Sequence, residues 1–162
     1  MPQTYEPIAT TTLGSAVASY TFSSIPATYT DLVCVIDGTI AATADNSIYW
    51  RANGDTSTNY SATRVSGNGS AAASYRLSNE TAALAGFIGT TSQSTQIIQF
   101  MNYSNTTTYK TSLSRGSYSA QNVGAFVAMW RSTAAITSLT FFTPGQNLNT
   151  GMTLTIYGIK AA

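Results

Sequence analysis

The sequence predicts an all-β chain: a two-sheet antiparallel sandwich, jelly-roll-like, of about ten short strands. Three observations predict it. Apolar residues recur with a period of two, as in residues 152–157, where Met152, Leu154 and Ile156 alternate with Thr153, Thr155 and Tyr157. Turn dipeptides punctuate the chain at short spacing, and no window of helical length carries an i, i+3, i+4, i+7 apolar stripe with caps.

In chain order, residues 1–12 are rich in Thr and carry Pro2 and Pro7, the composition of an N-terminal arm outside the core, ahead of a single sandwich domain over residues 13–162. Residues 17–23 place Ala18, Tyr20 and Phe22 on one face of a strand. Leu32 to Ile36 is apolar on both faces, as a central strand requires. Residues 47–52, 59–65 and 72–77 follow as strands, and Glu80 to Ile88 has room for a helical turn or two. Residues 95–103, 108–113, 135–142 and 152–157 complete the set, together with Val123 to Trp130. That last run is apolar on both sides and suits a central strand or one facing a neighbouring subunit. Turns are expected at Asn53-Gly54-Asp55, Gly67-Asn68-Gly69, Arg115-Gly116, Pro144-Gly145 and Asn149-Thr150-Gly151, because Gly and Asn accept positive φ at little cost.

At 162 residues the chain suits one domain. Charged residues are 8% of it and the formal net charge is +1, so its polarity is that of Ser, Thr, Asn and Tyr. With no His and a single Cys, it lacks the parts for an imidazole–thiolate zinc site, a Ser-His-Asp triad or an internal disulfide. Cys34, between Val33 and Val35, reads as a buried thiol. Seven basic residues against six acids give no footprint for a phosphate backbone, so no nucleic acid is expected. No run approaches a membrane span and the opening residues lack a secretory pattern, so no membrane partner is expected either.

Paired acids are the chemistry left to a chain without His, but Glu6, Asp31, Asp37, Asp45, Asp55 and Glu80 lie at strand ends or turns, where Asp is routine. No catalytic residue, metal site or cofactor is expected. Asn53-Gly54-Asp55 offers oxygen ligands for calcium yet reads more simply as a turn. The sequons at Asn59, Asn68, Asn79, Asn102 and Asn105 reflect composition.

The candidates that remain are contact residues. Tyr and Trp serve strands, cores, interfaces and sugar-binding faces alike, and Arg is favoured over Lys at interfaces. Tyr5, Tyr49, Arg51, Tyr60, Arg64, Tyr109, Arg115, Trp130 and Arg131 are therefore the interface candidates. A collective feature is stronger. No formally charged side chain occurs from Thr81 to Tyr109 or from Ser132 to Ile159, so strands in both stretches lack the charges that guard sheet edges. Edges and apolar faces are expected to be covered by copies of the chain or by a larger assembly.

Six strings in order, IATTTLGSAVASYTFSSIPATYTDLV at 8–33, NGDTSTNYS at 53–61, VSGNGS at 65–70, YKTSLSR at 109–115, WRSTAAITSLT at 130–140 and LTIYGIKAA at 154–162, resemble short virion proteins of tailed bacteriophages. The resemblance spans nearly the whole chain. It implies a β-sandwich structural protein on the phage particle, a symmetric homo-oligomer and by expectation a trimer, with no catalytic residue. At 50–55 that group carries a Leu-Arg-Phe-Asn-Gly-Asp pattern; Ala52 here replaces the aromatic, which departs from any fixed pocket at this turn.

The function expected first is a capsid decoration, or cement, protein that binds the major capsid protein or other virion proteins and stabilises the head by many repeated contacts. The alternative is a tail-fibre or receptor-binding tip contacting host surface glycan, although no heptad or collagen-like shaft is present to mount it. A glycan-active enzyme using two acids comes third. Either of the first two places the chain in the virion, assembled in the host cytoplasm.

Overall fold

A computed structural model describes residues 4–118 and 122–160, and every strand pairing in it is antiparallel. The strands are β1 (Tyr5–Thr12), β2 (Ser19–Phe22), β3 (Asp31–Gly38), β4 (Ile40–Ala41), β5 (Asn46–Ala52), β6 (Tyr60–Gly67) and β7 (Ala72–Glu80). They continue with β8 (Ala83–Ile88), β9 (Ser94–Met101), β10 (Lys110–Tyr118), β11 (Asn122–Trp130), β12 (Leu139–Phe142), β13 (Asn147–Leu148) and β14 (Thr153–Ile159). An eight-stranded sheet runs β1-β14-β3-β9-β10-β11-β6-β7, a four-stranded sheet runs β2-β12-β5-β8, and β13 pairs with β4. The two larger sheets form the sandwich.

Alternation builds the core. Leu32, Cys34 and Ile36 of β3, Ile98 and Phe100 of β9, Phe126, Ala128 and Trp130 of β11, and Leu154 and Ile156 of β14 point inward from the large sheet. They meet Ile48 and Trp50 of β5, Leu139 and Phe141 of β12 and Phe22 of β2. Trp50 anchors this layer, edge-on to Phe100 with ring centroids 4.9 Å apart, its Nε1–H donating to the Ser112 hydroxyl at 3.2 Å. Cys34 is fully buried, and burial pushes its thiol pKa well above the ordinary value.

Strand β8 explains the polar residues of the interior. It lies across β9, β10, β11 and β6. Six residues at about 3.4 Å match four strands at about 4.8 Å, so one short strand bridges the middle of the large sheet. β8 ends the small sheet, and its edge is satisfied from the large sheet's inner face: Ser114 Oγ–H donates to the Ala85 carbonyl, and Gln96 Nε2–H to the Phe87 carbonyl at 2.7 Å. Ser94 Oγ accepts the Gly89 N–H at 2.9 Å. Gln96 is seated between two glycines; a Cβ at Gly86 or at Gly116 would stand 2.1 Å from its Oε1.

Four expectations are corrected. Residues 5–12 are not an arm outside the core but the edge strand β1, paired with β14 through a register shift between Pro7 and Ala9. The extra residue at that shift breaks the alternation and lets the neighbours Ile8 and Ala9 both pack on the core. The segment at 80–88 is extended rather than helical, because Ala83 to Gly86 is buried between the sheets and a strand's free edge suits the donors facing it. Arg115-Gly116 is no turn: both residues lie inside β10, where Gly116 is required by Gln96. Among the described residues there are fourteen strands rather than about ten, the additions being β1, β8 and the two-residue β4 and β13. The other turns fall between strands, with positive φ at Asn53, Gly54, Gly69, Gly145 and Gly151.

Candidate functional site

The outer face of the large sheet is the most unusual surface of the molecule. Register fixes its rows. One row runs Val35, Ile97, Arg115, Ala125, Val65, Ser74 across β3, β9, β10, β11, β6 and β7. The next runs Val33, Gln99, Leu113, Val127, Thr63, Arg76. Flanking rows contribute Val123 on one side and Met101 and Met129 on the other. Period two sends these side chains away from the core while their neighbours Ile98, Ser114, Phe126 and Ala62 enter it.

Val33 is buried and Val35, Ile97, Ala125 and Met129 are half-buried, while no described residue covers the other apolar side chains. Val123 is 62% exposed, Val65 57% and Val127 50%, and Leu113 and Met101 are exposed on the same face. A side chain of this kind gains about 1.5–3 kcal/mol on full burial, so the open row forgoes several times that amount. Six strands at about 4.8 Å and seven residues at about 3.3 Å make the face roughly 650 Å². That is near the roughly 800 Å² that each partner gives to a standard interface. At one end, where Gly67 adds no side chain, the surface sinks into a depression of about 690 Å³ bordered by Val65, Ile97, Arg115 and Val123. Arg115 is the one charge within the apolar rows; Asp31 and Asp37 on β3 and Arg76 on β7 stand at the flanks. Asp37 accepts the Thr95 hydroxyl at 2.9 Å, and Asp31 accepts Gln99 Nε2–H at 3.2 Å and the Asn102 N–H at 2.8 Å.

The nine interface candidates do not converge on this face. Arg115 belongs to its apolar rows, and Tyr5 stands on the same outer face at the β1 rim, through its pairing with Ile159 and that residue's with Asp31. Tyr60 and Trp130 are corrected outright: both are buried, with rings stacked at 6.4 Å and 17°. Their polar tips are consumed by the loop after Asn53-Gly54. Trp130 Nε1–H donates to Asp55 Oδ2 at 2.7 Å, and the Tyr60 hydroxyl donates to the Asp55 carbonyl at 3.1 Å while accepting the Ala52 N–H at 3.2 Å. Burial would raise the Asp55 carboxyl, but hydrogen bonds from Ser57, Trp130 and Asn59 outweigh it and hold the pKa down at about 2. Burial takes the Tyr60 phenol up to about 12.

Arg131 belongs to the same structural clasp, donating to the Thr58 carbonyl and Asn79 Oδ1, both at 2.9 Å. Arg64 is half-buried between the Tyr75 and Phe87 rings, 5.3 and 5.0 Å from their centroids. Tyr5, on edge strand β1, is exposed and edge-on to Tyr157; Tyr109 is exposed just before β10. Tyr49 and Arg51 lie on the far side of the sandwich, on the outer face of the four-stranded sheet.

The residues that sequence reasoning missed are therefore aliphatic: Val65, Ile97, Leu113, Val123 and Val127. Their signal was present in the two-sided apolar run 123–130, but interface statistics favour aromatic residues and Arg and passed over valine. Among the described residues no three of His, Cys, Asp and Glu are grouped to hold a metal ion. Comparison with protein-family models and with curated proteins gives no match.

Proposed function

We propose that the chain is a structural protein of a tailed-phage virion, a capsid decoration or cement protein that self-associates and binds the head shell. The observation that carries this reading is the open apolar face of the eight-stranded sheet. A face of interface size, whose central rows carry only Arg115 inside and Arg76 at the rim as charges, is built to be covered by protein. The ordered resemblance to phage virion proteins supplies the setting, and low charge supplies the tendency to associate. The mechanism is burial at many equivalent sites: a modest contact per copy, repeated over a shell and linked through oligomers, gains strength by effective concentration.

The tail-tip alternative uses the same fold at the end of a fibre. Copy number separates the two. Gel densitometry of purified particles is expected to give on the order of hundreds of copies for decoration; a few dozen at most places the chain on the tail, and absence from particles refutes both.

A further inference from the structure

We propose a saccharide-binding cleft on the outer face of the four-stranded sheet, the side of the sandwich opposite the apolar face. It stands on separate observations from the packing role. Tyr49 of β5 and Phe142 of β12 are cross-strand partners whose rings lie 6.0 Å apart and tilted by 31°, a shallow aromatic platform. The Arg51 guanidinium lies 4.3 Å over the Phe142 ring, pinned by its Nε–H, which donates to the Thr81 carbonyl at 2.9 Å. Its terminal nitrogens make no hydrogen bond among the described residues. Glu80, at the end of β7, borders the same hollow, and neither its carboxylate nor the Tyr49 hydroxyl is hydrogen-bonded among the described residues. Thr81 and Pro144 close this hollow of about 210 Å³. A second, of about 470 Å³, shares Arg51, Phe142 and Pro144 and adds the Gln146 and Asn147 amides.

The chemistry matches a sugar. A pyranose presents an apolar face of C–H groups that stacks on an aromatic ring, and hydroxyl edges that need donors and acceptors side by side. The fork of Arg51, held in place before a ligand arrives, supplies paired donors, and Glu80 and Tyr49 supply acceptors. Two hollows that flank the stacked Arg51–Phe142 pair and share Pro144 favour consecutive sugar units, an oligosaccharide chain rather than a compact ligand.

The test is a printed array of neutral and anionic bacterial-surface oligosaccharides probed with the intact chain, followed by calorimetric titration of the brightest one. A subset of related glycans is expected to bind. Phe142→Ala is expected to weaken binding by about tenfold or more, and Glu80→Gln, which removes no hydrogen bond of the fold, by several-fold with an unchanged melting temperature. Thr106→Ala, on a distant loop, leaves binding as it was. No glycan bound up to about 1 mM, or equal affinity in wild type, Phe142→Ala and Glu80→Gln, overturns the proposal.

Discussion

Gln96 shows how one side chain sets the identity of its neighbours. Its amide spans the sandwich, and the places of Gly86 and Gly116 are fixed by its Oε1, 2.1 Å from either added Cβ. Gly116→Ala and Gly86→Ala are each expected to lower stability by about 1–3 kcal/mol in urea unfolding. Gly14→Ala meets nothing within 4 Å and is expected to change little. Asp55 gives a pH signature. Its folded pKa of about 2 lies below the ordinary 3.8, so the folded state favours the ionised form. The stability it contributes is complete above the unfolded value and is lost as pH falls from about 4 toward about 2. Asp55→Asn is expected to melt lower than wild type at pH 6 and to lose less stability across that acid window; parallel pH profiles contradict this assignment.

At the scale of elements, β8 holds the two sheets in register through side-chain donors rather than a ladder. Ser114→Ala leaves the buried Ala85 carbonyl without its donor and is expected to cost about 1–3 kcal/mol, against no measurable change for the exposed Ser117→Ala in the same melting experiment. Alternation made most strands legible in the sequence: 123–130 and 152–157 coincide closely with β11 and β14. It failed where partner geometry decides. ETAALAGFI has no period of its own, since both of its faces are buried, and a strand is chosen there because Ser114 and Gln96 wait opposite its edge. Arg115-Gly116 carries a turn dipeptide that a contact across the sandwich turns into strand. Lys110 was illegible for a similar reason: it is buried, and its ammonium donates to the Thr108 and Thr133 carbonyls at 2.7 and 3.1 Å, acceptors that only the folded loops bring together.

At the scale of the whole molecule, the two sides of the sandwich differ. One is broad, aliphatic and almost without charge; the other carries Tyr49, Arg51 and Phe142 among polar neighbours. The need for a cover could be foreseen from the low charge and from the two-sided run in β11, but its place could not. Val65 comes from β6 and Ile97, Leu113 and Val127 from the consecutive strands β9, β10 and β11, and only register aligns them on one face. Two of the sandwich's edges are less open than composition suggested, while β7 stays open and exposed at the far end of the large sheet. β1 carries Pro7, a register shift and the Glu6–Lys160 ion pair at 2.7 Å, and β8 is capped from within. The apolar face is thus an exposed liability beside the open β7 edge, and a Lys placed on the face should solubilise the protomer without unfolding it. Val127→Lys is expected to keep the wild-type circular dichroism spectrum while abolishing self-association.

The most direct test of the covered-face account is sedimentation equilibrium of the isolated chain at micromolar concentration. A mass that is an integral multiple of 17.1 kDa, falling to one protomer in Val127→Lys, is the predicted result. A wild-type chain that sediments at 17.1 kDa and stays in solution for days with its valines bare contradicts it.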